Sequence, residues 1–158
     1  RIGVSIYEAS ELEGLPLERF QLVQLPLSVY DQRLIRDGTV GRLQDLGIAV
    51  HVRSVLFQGL VLQSPDHWPD HLSPAFRDHH AGWLEHLHQV GLSPLSAALG
   101  FVRACDAVEA VLVGVLTSQE LAQVLQAWSQ TEAALPKTPE VWTWENAVDL
   151  DPRRWPPR

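Results

Sequence analysis

A chain of 158 residues has room for one ordinary domain with a real core. It is 46% hydrophobic and 20% charged, and its longest apolar run, over 110–116, is far too short to cross a bilayer, which argues against a membrane span. The formal net charge of −7 gives a surface that repels phosphate backbones and argues against nucleic acid as a partner.

No basic segment leads into an apolar one, so no secretory signal is read. A single thiol, Cys105, excludes an internal disulfide and suits a reducing cytoplasm; by packing alone it reads as a small core residue. There is no methionine, not even at position 1, and Arg1-Ile2-Gly3-Val4-Ser5 already reads as a buried strand. A fragment, a processed product or an incomplete gene sequence is expected.

In chain order, Arg1 to Ser5 is the first predicted strand. Residues 20–25 (FQLVQL) form a second, closed by Pro26. Asp31 can cap a helix whose apolar positions Leu34, Ile35, Leu43 and Leu46 recur at helical spacing; Gly38 and Gly41 weaken its middle and Gly47 stops it. Residues 48–55 (IAVHVRSV) are a third strand, rich in β-branched residues. The stretch 57–91, with Pro65, Pro69 and Pro74, reads as a long irregular insert with a helical piece around Trp83 to Gln89. Ser93-Pro94 is a strong helix start, with a capping hydroxyl and proline at the first helical position, and the helix is expected to reach about Cys105. Ala110 to Leu116 is the fourth strand. Thr117-Ser118-Gln119-Glu120 is a capping box opening a helix to about Trp128. The tail from Leu135 is rich in Pro and Trp and is expected to lie across the outside.

Strands alternating with helices predict parallel βα units, an α/β fold. The chain reads as a single partial domain over 1–158, with βα units over 1–128 and a Pro- and Trp-rich tail over 129–158.

Four segments together resemble the aldo/keto reductase family: RIGVSIYEASEL (1–12), FQLVQLPLSVYDQRLI (20–35), GIAVHVRSVLFQGLVL (47–62) and GLSPLSAALGFVRACDAVEAVLVGVLTSQELAQVL (91–125). They are similar to strands five to eight with the last two helices, so the resemblance implies the C-terminal half of a TIM (β/α)8 barrel, a fold of about 250 residues. It also implies an oxidoreductase using NADP or NAD on a small-molecule carbonyl or alcohol. The family's catalytic aspartate, tyrosine, lysine and histidine come from strands one to four. Tyr7, Tyr30 and Lys137 match none of them. The alternative is a non-catalytic half-barrel that serves as a scaffold or interaction module.

The resemblance carries over a cofactor face. Ser5 and Gln24 match residues that hydrogen-bond the nicotinamide amide. Arg53 stands where an aromatic ring often stacks on the nicotinamide. Ser54, Leu56, Gln58 and Gly59 match a pyrophosphate loop. Gly114, Leu116, Thr117, Glu120 and Gln123 match positions around the adenosine. Ile6, Val124 and Glu120 depart from the family pattern, and the carboxylate of Glu120 would repel a 2′-phosphate, which leaves NADP against NAD open. Read without the resemblance, Ser5 and Ser54 are buried hydroxyls at strand ends. Gln24 is harder to place by packing, since a buried amide must find partners, and an inward Arg53 needs a carboxylate or phosphate, while an outward one needs nothing.

Seven histidines invite a metal, but Pro69 breaks the helical face that would pair His67 with His71, so solvated loop histidines are the expectation for these, His79-His80 and His86-x-His88. Trp142, Trp144 and Trp155 could stack a sugar or pin the tail to the barrel wall. A half-barrel leaves its first and last strands as unpaired edges, which predicts self-association, unless a missing N-terminal half-barrel covers them.

Overall fold

A computed structural model describes residues 1–130 and 139–157. Its centre is a four-stranded, wholly parallel sheet: β1 (Gly3–Ser5), β2 (Leu22–Pro26), β3 (Ala49–Arg53) and β4 (Val108–Val111), in the order β1-β2-β3-β4. Gly3 faces Leu22 so closely that a Cβ would come within 2.5 Å of its side chain and carbonyl oxygen, so glycine is required there.

The helices are α1 (Arg33–Arg36), α2 (Thr39–Asp45), α3 (Pro74–Val90), α4 (Pro94–Arg103), α5 (Ser118–Gln130) and a short α6 (Ala147–Leu150). Alternation decides which side of the sheet they cover. Val23, Leu25, Val50 and Val52 point to one face and are buried with Leu34 of α1, Leu43 of α2, Leu99 and Val102 of α4 and Ala127 of α5. The paired residues on the other face are Gly3, Ser5, Leu22, Gln24, Pro26, Ala49, His51, Arg53 and Ala110, of which only Pro26 is buried. Parallel sheets are normally covered on both sides. Here one face carries an aliphatic core and the other mixes Ser5, Gln24, His51 and Arg53 with small and apolar residues. The register shifts beside β4 at Val50/His51, and next to the shift Glu109 pairs with His51 (3.3 Å) and with Arg1.

A second core is aromatic. Tyr30, Phe57, Trp68, Phe76 and Trp83 bury against one another with Leu60, Leu72, Leu87 and Leu150, and Trp142, Trp144 and Trp155 pack around them. Helix α4 belongs to both cores, giving Ala97 and Ala98 to the aromatic one.

Several sequence expectations are corrected. The helix expected from Asp31 is two helices, broken at Gly38 (φ +83°), and Asp31 does not cap it: its carboxylate is held by Arg33 in a two-pronged pair at 2.8 and 2.9 Å. Gly47 does end α2, in the left-handed conformation (φ +69°), with the Gly47 N–H on Gln44 O and the Ile48 N–H on Leu43 O. The insert, expected to be irregular but for a helical piece around Trp83 to Gln89, holds the longest helix of the described residues, α3, because Ser73-Pro74 repeats the start seen at Ser93-Pro94; the Ser73 hydroxyl accepts from the Phe76 N–H. The fourth strand lies earlier than 110–116, at Val108–Val111. Its partner β3 ends where Ser54 turns to φ +60°, so after Leu112 donates to Val52 O the ladder has no partner.

His67 and His71 are exposed and precede α3, as expected, but the other histidines of this stretch are helical. His79 and His80 lie on α3, and His80 is wholly buried, stacked on Trp68 at 4.4 Å. Among the described residues no three or more His, Cys, Asp or Glu side chains converge as a metal cluster. Nor is any described helix long and apolar enough to cross a membrane.

The three tail tryptophans are ring partners within the fold: Trp144 stacks on Phe76 at 4.9 Å and Trp155 meets Phe57 edge-on at 5.6 Å. Trp142 meets His79 at 5.6 Å. Lys137 and the tail before Pro139 lie outside the described residues.

Candidate functional site

A groove of about 880 Å³ opens at the carboxyl ends of β2, β3 and β4. That end of the strands is where ligands bind in open α/β sheets and barrels. Its volume is within the ~300–1,000 Å³ of small-molecule sites.

Gln24 and Arg53 enter from β2 and β3. The turn after β3 brings Ser54, Leu56, Gln58 and Gly59; the segment after β4 brings Gly114 and Leu116; the first turns of α5 bring Glu120 and Gln123. All of the cofactor candidates thus line one groove except Ser5 and Thr117. Ser5 stands behind it, donating its hydroxyl to Gln24 Oε1 at 3.3 Å. Thr117 is spent on the capping box: its Oγ1 accepts from the Glu120 N–H (3.1 Å). The reciprocal arm reaches one residue further back than expected, with Glu120 Oε2 accepting from the Leu116 N–H at 2.7 Å. Sequence reading did not single out Val55, Leu62, Gln63, Leu95, Leu112, Val113 and Val115 as part of the wall. Only tertiary packing brings them there.

The turn after β3 is unusual. Ser54, Phe57 and Gln58 all have positive φ (60°, 46° and 58°), followed by Gly59 at 82°. Non-glycine residues seldom adopt this conformation, and a cluster of them is retained at sites where backbone shape matters. Phe57 anchors the turn, with its ring in the aromatic core against Phe76 at 5.6 Å. Within the turn the Phe57 N–H donates to Ser54 O at 2.8 Å and the Gly59 N–H to Leu56 O at 2.7 Å. Helix α5 begins at the groove and points its N-terminal dipole there.

Arg53 is the groove's cation. One guanidinium nitrogen donates to Ile6 O at 3.0 Å and the other to Ser54 Oγ at 3.4 Å. The guanidinium lies over the Tyr7 ring at 3.9 Å, and Arg153 lies over the same ring, also at 3.9 Å.

Arg153 is itself neutralised by Asp151 and Glu11, both at 2.8 Å, and Arg154 pairs with Glu8 at 2.8 Å. Burial opposes ionisation of Asp151, but hydrogen bonds from the Arg153 side chain and backbone, with the charges of Arg153 and Arg154, outweigh it and hold its pKa below the ordinary value. The bond to Asp151 in turn holds Arg153 above its ordinary range.

Among the described residues, which do not include Lys137, no tyrosine or histidine lines the groove. Tyr30 is fully buried in the aromatic core, where its O–H bonds His80 Nδ1, and His80 Nε2 donates to Gln63 O at 2.8 Å. Burial raises the Tyr30 pKa well above its usual value. Cys105 is half-buried at the edge of the aliphatic core, and desolvation with the nearby charge of Asp106 pushes its pKa up to about 11, so it stays an unreactive thiol.

Parallel βα units in sequential order, with an inner face of mixed polarity and a groove at their carboxyl ends, define half of a (β/α)8 barrel. No family model and no curated protein matches the chain. Among solved structures it is similar to aldo-keto reductase AKR11C1 from Bacillus halodurans. The apo form aligns at a TM-score of 0.63 and 21% identity over 86% of this chain and 47% of that one. The holo form aligns at 0.61 and 19% over 87% and 48%. The chain therefore has the aldo-keto reductase fold and spans about half the length of those structures.

Proposed function

We propose that the groove holds a nicotinamide dinucleotide, as the cofactor-binding half of an aldo/keto reductase-type oxidoreductase that reduces a small carbonyl compound or oxidises an alcohol. One observation carries this reading: residues assigned from three separate segments of sequence line a single groove, and Ser5 of a fourth reaches it through Gln24. When bound, the dinucleotide supplies or accepts a hydride. The residues of this chain hold and orient it: Gln24, braced by Ser5, at the amide; Arg53 at the ring; the 54–59 turn and the start of α5 at the phosphates. Glu120 places a carboxylate in the groove wall, so NAD is favoured over NADP, which carries a further phosphate. The proton donor for the substrate oxygen comes from residues other than those of this chain that line the groove.

The test is titration of the chain with NADH and NADPH, followed by quenching of its six tryptophans. Saturable binding, tighter for NADH, is expected, and Glu120→Gln should narrow the gap between the two. Absence of binding to both would overturn the reading.

Among the described residues the groove is lined by no tyrosine or histidine, which favours a second reading, a non-catalytic half-barrel acting as a scaffold. It predicts no nucleotide binding at all, and no reductase activity when the chain is joined to four preceding βα units.

A further inference from the structure

Arg53 differs from Arg153 and Arg154 in having no carboxylate partner among the described residues. Its partners are a carbonyl oxygen, a hydroxyl and the face of Tyr7. Arg153 sits on the opposite face of the same ring with its charge cancelled by Asp151 and Glu11. The ring is thus attracted to a cation on each side, but only the groove-side cation remains uncompensated. The whole stack is tied down from the tail, because Asp151 is buried (1% exposed) and also receives the Arg153 backbone N–H at 3.0 Å.

We propose that Tyr7 and Arg153 are positioning residues for Arg53, by which the segment after α6 fixes the groove's cation before any ligand arrives. The proposal rests on the cofactor reading above. An arginine on a free stem loses several rotamers when it binds; one already clamped between a carbonyl and a ring has lost them on folding, so binding is stronger. Tyr7 acts through the face of its ring, which its hydroxyl does not alter.

The experiment is NADH titration of the whole chain and of Tyr7→Phe, Tyr7→Leu, Arg53→Leu and the Tyr7→Leu/Arg53→Leu double variant, with Tm measured for each. Tyr7→Phe should bind as the unaltered chain does. Tyr7→Leu should bind about tenfold more weakly at similar Tm, and should have no effect once Arg53 is leucine. Equal binding by Tyr7→Leu, or the same loss with and without Arg53, would overturn the proposal. Nitrogen-15 NMR of the arginine Nε–H groups needs no variant that might misfold: ring-current shifts at Arg53 and Arg153 are expected in the unaltered chain, and their absence overturns the stack. If those shifts are present but the unaltered chain binds neither nucleotide, the cofactor reading has failed and the positioning role falls with it.

Discussion

The aliphatic core under the sheet and the aromatic core beside it are built on different principles. The first joins neighbours: strands and helices that follow one another, with side chains alternating along Val23, Leu25, Val50 and Val52. The second joins strangers. Tyr30 follows β2, Phe57 follows β3, Phe76 and Trp83 lie on α3, and Trp144 and Trp155 come from the tail. Loop closure over such distances costs entropy, and large rings that bury much surface each are suited to offset it. The groove depends on both cores. Its strand ends stand on the first, and its left-handed turn is anchored by Phe57 in the second.

Removing a ring is the harshest way to break this arrangement. Phe76 is fully buried and touches Tyr30, Phe57, Trp68 and Trp144, so Phe76→Ala should cost about 3–5 kcal/mol. Because α4 walls both cores, tryptophan fluorescence and far-UV circular dichroism should still lose signal together in a urea titration. Separate midpoints would mean two units.

Asp149→Ala is next. Asp149 accepts from the Ser73 N–H and hydroxyl (3.0 and 2.8 Å) and from Trp144 Nε1 (2.9 Å), joining the start of α3 to the tail. A loss of about 2–3 kcal/mol is expected by denaturant titration, since three donors lose a buried acceptor. Asp149→Asn should recover part of it.

The smallest effect is on pH. Burial holds the His80 pKa below its ordinary 6.5, with His79 adding repulsion, against an opposing hydrogen bond to Gln63. The folded protein thus binds this proton less readily than the unfolded chain. Stability is fully present above pH 6.5 and is lost as pH falls from there towards the folded-state pKa. The slope cannot exceed about 1.4 kcal/mol per pH unit. His80→Gln should flatten stability between pH 7 and 5 relative to the unaltered chain; an unchanged slope would contradict it.

The sequence by itself determined the βα order and most of the groove. The Pro26 stop after residues 20–25, the β-branched content of 48–55, the Ser-Pro start at 93–94 and the capping box at 117–120 are local signals, read within one turn or one strand. The resemblance named Gln24, Arg53, Ser54, Leu56, Gln58, Gly59, Gly114, Leu116, Glu120 and Gln123 in the groove's wall, and packing added Val55, Leu62, Gln63, Leu95, Leu112, Val113 and Val115. Local signals fail where contacts are remote. Three prolines made 57–91 look irregular, although Ser73-Pro74 opens the longest helix there, and histidines that looked solvated are ring partners inside it. Only the tertiary structure decided that the tail's tryptophans complete a core, that Ser5 braces Gln24, and that Tyr7 separates Arg53 from Arg153. The physical reason is the same in each case. A strand or helix is specified by neighbours in sequence, whereas a buried ring, a stacked cation or a paired amide is specified by partners that folding brings from far along the chain.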